Sequence, residues 1–123
     1  MALHDRELTG DVGELITHLD RTILGGSISA SFEDGSDHTI GDARMVVRSY
    51  ERFSAFGGNR VSLTFSILAV GDRLAVSAVT AGGSEAMFFK IDTVGEGTFL
   101  AKAVQALDSF DGKPEPFPDG ARI

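Results

Sequence analysis

Glu51 and Glu85 are the carboxylates to consider first, because alternation places both on the apolar side of their strands. Ser49 and Thr80 break the same apolar pattern. Two carboxylates facing one space can divide acid and base work when they sit about 5 to 9.5 Å apart. The registers argued below put Glu51, Leu63, Thr80 and Glu85 in one row across four strands. Neighbouring strands lie about 4.8 Å apart, so three steps separate the two glutamate backbones by roughly 14 Å. That is too far for a catalytic pair. Ser49, Glu51, Thr80 and Glu85 suit the polar rim of a ligand pocket better, with Asn59 and Arg60 nearby. With no ligand, the row would be the rim of the sheet, where both glutamates reach water. A bulge near Ser49 would turn Glu51 outward and bring Tyr50 in.

Other chemistry finds less support. Glu33, Asp34, Asp37, His38 and Asp42 crowd oxygens of the kind that take Ca²⁺ or Mg²⁺. Their spacing does not match an EF-hand loop, and Asp34-Gly35 reads as a turn. His4, His18 and His38 show no His-x-x-x-His or Glu-x-x-His spacing, so zinc is not expected. No Gly-x-Ser-x-Gly elbow occurs. The chain has no cysteine, which removes disulfides, thiolate metal sites and cysteine nucleophiles. No catalytic residue, metal or cofactor is therefore expected, and an enzyme ranks last among the function classes.

The 123 residues suffice for one domain. Eighteen acidic residues against eleven basic ones leave a net charge of −7. Such a balance disfavours nucleic acid and anionic lipid surfaces as partners. Charges run through the first twenty residues, and no apolar stretch is long enough for a signal peptide or a membrane span. A soluble cytoplasmic protein is expected, with a single domain over 1–112. All three prolines fall in "KPEPFPDGARI", so 113–123 reads as a flexible tail.

The elements that must position these residues follow from periodicity. "ALHDREL" suggests a short strand at 2 to 8. Asp11 and Glu14 have capping-box spacing, and Val12, Leu15, Ile16, Leu19 and Ile23 form a helical stripe. Gly25 and Gly26 follow, where a left-handed cap wants glycine. Ile28, Ala30 and Phe32 then alternate up to the turn at Asp34-Gly35. From residue 43, Ala43, Met45, Val47 and Phe53 share the apolar side, opposite Arg44, Arg48, Tyr50 and Arg52. Gly57-Gly58-Asn59 closes that hairpin. Val61, Leu63, Phe65, Ile67 and Ala69 alternate most clearly. Gly71-Asp72 makes a two-residue hairpin that sets Leu74, Val76 and Ala78 opposite Ala69, Ile67 and Phe65. Gly82-Gly83 reads as another turn, pairing Ala78 with Met87 and Val76 with Phe89. It is not a phosphate cradle, because strand-like residues rather than a helix follow it. A second helix starts near Thr93, with Phe99, Leu100, Ala103, Val104, Leu107 and Phe110 as its apolar face.

The order β-α-β5-α describes an α+β two-layer sandwich, an antiparallel meander with two helices on one face. In element order it resembles helix-grip and TATA-box-binding-protein-like architectures. Three stretches, "GSISASFEDGSD" at 26–37, "ERFSAFGGNRVSLTF" at 51–65 and "TAGGSEAMFFKIDTVGE" at 80–96, are similar to a family of small bacterial proteins, domain of unknown function 6054. The similarity covers most of residues 7 to 110. It implies a single-domain bacterial protein and assigns no catalytic residue.

Two functions fit this frame. One is a non-enzymatic binding module that holds a small apolar or amphipathic ligand between the sheet and the C-terminal helix. The other is a homodimer that docks through the outer sheet face, on which the registers place Val46, Tyr50, Leu68, Val79 and Phe88.

Overall fold

The computed structural model describes residues 1–26, 29–53, 60–82 and 96–111, with the side chains of 96–98 and 111 left aside. Seven elements follow in order among the described residues: β1 (Ala2–Thr9), α1 (Val12–Gly25), β2 (Ser31–Ile40), β3 (Ala43–Phe53), β4 (Arg60–Val70), β5 (Arg73–Gly82) and α2 (Glu96–Asp111). The five strands form one antiparallel sheet in the order β1-β5-β4-β3-β2. Leu15, Leu19 and Ile23 of α1 and Phe99, Ala103 and Leu107 of α2 are buried in one core with Leu63, Phe65 and Ile67 of β4. Both helices therefore cover the same face of the sheet, the α+β arrangement that the patterning implies.

Local chemistry sets the helix ends. The Asp11 carboxylate accepts the backbone N–H of Glu14 at 3.0 Å, closing the N-terminus of α1. Gly26 ends α1 with φ −93°, in the right-handed region and not the left-handed one expected of it. Its need for glycine is steric: a Cβ there would lie 2.8 Å from the Thr22 carbonyl oxygen.

The β4–β5 hairpin matches its expected register, with Phe65 opposite Ala78, Ile67 opposite Val76 and Ala69 opposite Leu74. Gly71 at φ +61° supplies the left-handed turn. Three other expectations are corrected. Asp34-Gly35 is no turn. β2 runs through it, with a bulge between Phe32 and Asp34, and turns at Gly41-Asp42, where Gly41 has φ +58°. β3 pairs with β4 one residue away from the expected register: Leu63 faces Tyr50, and Glu51 faces Ser62. Such a slip turns every side chain of a strand over. Val46 and Tyr50 lie in the core, while Met45 and Phe53 are exposed. Finally, the free side of β5 is taken by β1, which pairs His4 with Ala78, Arg6 with Val76 and Leu8 with Leu74. Ala78 and Val76 are the positions expected above to pair with Met87 and Phe89, which lie outside the described residues. The glycines at 57, 58 and 83 and the tail at 113–123 also lie outside them.

Side chains tie the helices down. Arg6 of β1 forms an ion pair with Asp108 of α2. His18 of α1 places Nε2 2.9 Å from the Ala106 carbonyl and 2.8 Å from the Ser109 hydroxyl of α2. No described helix is long and apolar enough to cross a membrane.

The bulged β2 makes a test. Opposite Arg48, Gly35 brings its backbone so close that a Cβ would sit 2.4 Å from the Val47 carbonyl oxygen. Gly35→Ala should destabilise the fold by about 1–3 kcal/mol, measured by urea denaturation. An unchanged midpoint would show that β2 does not cross β3 this closely.

Candidate functional site

The turned-over β3 carries Arg44, Arg48 and Arg52 on its helix-facing side, and each finds a different use. Arg48 reaches Asp20 of α1, its Nη2 donating to the two carboxylate oxygens at 2.9 and 2.8 Å and its Nε to one of them at 3.1 Å. The Tyr50 hydroxyl donates to the same carboxylate. Phe32 of β2 packs on both partners: the Arg48 guanidinium lies 4.2 Å from its ring centre, and its ring meets Tyr50 edge-on at 5.8 Å. The cluster is fully paired, with Tyr50 buried outright, and it fastens α1 to the β2–β3 side of the sheet.

Arg52, two residues further, is half-buried. Its guanidinium lies 4.7 Å from the ring centre of Phe99, in the first turns of α2. Burial draws the Arg52 guanidinium below its ordinary pKa. This end of the helix-facing side is also where a small inward side chain, Ala78, precedes a polar one, Thr80. Along β5 the inward residues run Leu74, Val76, Ala78, Thr80. Thr80 is 0 % exposed, and its hydroxyl has no hydrogen-bond partner. On the adjacent strand, His4 buries Nε2 without a partner. Ala2 faces Thr80 and His4 faces Ala78, so Thr80 and His4 are diagonal neighbours, roughly 7–8 Å apart at the backbone. Leaving a buried polar group unpaired costs about 1–3 kcal/mol, and two such groups side by side make one polar spot in an otherwise apolar layer.

The residues expected at the pocket rim are not brought together. Thr80 faces the helices, buried. Ser49 and Glu51 lie on the opposite side of the sheet, where Ser49 shares a 2.9 Å hydrogen bond with Thr64 and Glu51 pairs with Arg60 at 2.9 Å. Glu85 is outside the described residues. Of the residues expected on the outer face, Leu68 (48 % exposed) and Val79 do lie there. Val46 and Tyr50 do not, being 2 % and 0 % exposed in the core. Phe88 is outside the described residues. Composition alone did not mark His4, Asp20 or Arg52. The signal for His4 was its place on the inward side of an edge strand, legible only once β1 is paired to β5.

Among the described residues, no three of His, Asp and Glu converge as metal ligands would. The acidic run is spread along β2. Asp37 is engaged by Arg44 through hydrogen bonds of 2.9 and 2.6 Å, which hold its carboxyl below the ordinary range.

Tyr50 is the only tyrosine, and the chain has no tryptophan, so its ionisation can be followed by ultraviolet absorbance. Burial, reinforced by the hydrogen bond to Asp20, pushes its phenol well above the ordinary value of 10.0. The folded chain keeps a proton that the unfolded chain releases above about pH 10. The Tyr50 contribution to stability is therefore intact below that pH and falls above it, by up to about 1.4 kcal/mol per pH unit. Phenolate absorbance should appear together with unfolding, and Tyr50→Phe should flatten the alkaline loss of stability. A phenolate signal near pH 10 in folded protein would refute the buried placement.

No curated protein matches the chain. One family model does, over residues 1–111, and its description is a family of unknown function. That match spans every element from β1 to α2, and the chain belongs to this family, DUF6054.

Proposed function

We propose that the chain is a non-enzymatic binding module that seats one small amphipathic ligand between the sheet and α2. The observation that carries this is the Thr80 hydroxyl, fully buried and without a partner. A ligand oxygen placed between Thr80 and His4 Nε2 would satisfy both groups and relieve a penalty of about 1–3 kcal/mol for each. Ala78, beside Thr80 on the inward side of β5, leaves the least side-chain volume there, which is where an apolar body would lodge. Phe99, with Arg52 against its ring, is the wall it would meet. The Thr80 hydroxyl and His4 Nε2 make no hydrogen bond to each other, and this supports holding a molecule rather than transforming it.

Native mass spectrometry of protein purified from its own host should show an additional mass. Thr80→Val keeps the side-chain volume and deletes the hydroxyl. The variant should lose the adduct while equalling or exceeding the parent in thermal stability, because an unpaired buried hydroxyl has been removed. A parent with no adduct, an adduct that survives in Thr80→Val, or a variant clearly less stable than a ligand-free parent would each overturn the assignment. The last would mean that the hydroxyl is already paired within the fold.

A further inference from the structure

The side of the sheet away from the helices has the composition of an interface. One row runs across all five strands through His38, Met45, Leu68, Ala75 and Glu7. The row beside it carries Ile40 and Val70. Met45, Leu68, Val70 and Ile40 are 44, 48, 45 and 82 % exposed. Two shallow depressions of about 510 and 490 Å³ share Leu68 and Ala75 and extend along this surface. Several polar groups of this side are already engaged. The Ser77 hydroxyl donates to Asp5 at 2.7 Å, Ser49 and Thr64 bond each other at 2.9 Å, and Glu51 pairs with Arg60. Hydroxyls paired within their own surface can be covered without losing a hydrogen bond, which removes the usual cost of burying a polar face.

Size agrees. Four strands of 10 or 11 residues span about 33 Å, β1 with 8 residues about 26 Å, and five strands spaced about 4.8 Å apart span about 24 Å. The face thus offers roughly 800 Å² per copy, the area that one partner contributes to a standard stable interface. Charge permits a second copy as the occupant. The long row ends in Glu7 on β1 and in His38 on β2, at opposite edges of the sheet. A two-fold axis parallel to β4 lays Glu7 of one copy over His38 of the other, and Met45 over Ala75. The two Glu7 carboxylates stay about 19 Å apart, four strand spacings, beyond the ~8 Å screening length in physiological salt. We infer that this face docks a second copy of the chain, sheet against sheet, about a two-fold axis along β4.

Light scattering on the full chain tests this directly. The 13.0 kDa chain should run at about 26 kDa, twice its mass, and Leu68→Glu should run as a monomer. Leu68 lies on the central strand, next to the axis, and the chain has no cysteine of its own. Leu68→Cys should therefore form a disulfide-linked dimer on mild oxidation, whereas Leu24→Cys, exposed on α1, should not. Even a weak interface of this area holds at micromolar concentrations, so a parent monomer at roughly 100 µM would overturn the inference. So would a dimer that persists in Leu68→Glu, since another surface would then be holding it. Neither result bears on Thr80, which faces the opposite side of the sheet.

Discussion

The carboxylate of Asp20 receives both the Arg48 guanidinium and the Tyr50 hydroxyl, and the facing of β3 depends on it. A strand has only two choices of facing, one residue apart in register. The alternative would bring Met45, Val47, Ser49 and Glu51 beneath the helices. It would exchange Val46 and Tyr50 for Met45 and Val47, trap Glu51 in the core and leave Arg48 outside, far from Asp20. An unpaired buried carboxylate costs several kcal/mol, and exchanging apolar side chains of similar size returns little against that. In the observed facing, Glu51 sits outside with Arg60, and the long stem of Arg48 is covered while its head is paired. Hydrogen bonds to charged groups of this kind contribute about 1.5–3 kcal/mol each when well aligned. The polar contacts therefore outweigh the apolar pattern of the strand.

That choice distributes chemistry between the two sides of the sheet. With Tyr50 inward, opposite Leu63, the inward row continues through Thr80 to Ala2. Among the described residues, Thr80 then stands as the one buried polar residue in a layer of Val61, Leu63, Phe65 and Ala78. With Met45 and Val47 outward, the outer side acquires aliphatic side chains that neither helix can cover. The clamp on Asp20 thus sets both the polar spot beneath α2 and the apolar rows opposite it.

The legible parts of the sequence are those where two independent signals agree. Around Gly71-Asp72, alternation in β4 and β5 and the two-residue turn require the same register, and the structure has it. Asp11 with Glu14 and the stripe Leu15, Leu19, Ile23 likewise agree on α1. Legibility fails where one signal stands alone. Asp34-Gly35 has turn composition, yet the turn lies at Gly41-Asp42, the same dipeptide as in the following hairpin. Gly35 serves instead the close approach of two backbones, which leaves no trace in composition. In β3, arginine and tyrosine read as outward residues because their partners, Asp20 and Phe99, lie about 30 and 50 residues away in sequence. Thr80 faces inward as its place on the well-determined hairpin requires. The facing expected for Ser49 and Glu51 fails with the rest of β3, by one residue.

The edges of the sheet explain why its outer side is the surface left for association. β2 is an edge strand exposed along its whole length, with a bulge near its start and Glu33, Asp34 and Asp37 along it. Bulges and charges are the means by which edge strands resist pairing with other strands. β1, the opposite edge, alternates Leu3 with Asp5 and Glu7 on its outward side and is capped by Arg6–Asp108 on the other. Two such acidic edges brought together would align like charges at about 5 Å, the distance of directly opposed cross-strand pairs, where repulsion is unfavourable. The interior of the outer side carries no such obstacle: its charges lie at the margins, and its centre is Leu68, Ser66, Val47 and Ser77. Charge therefore excludes lateral growth of the sheet while leaving face-to-face packing open.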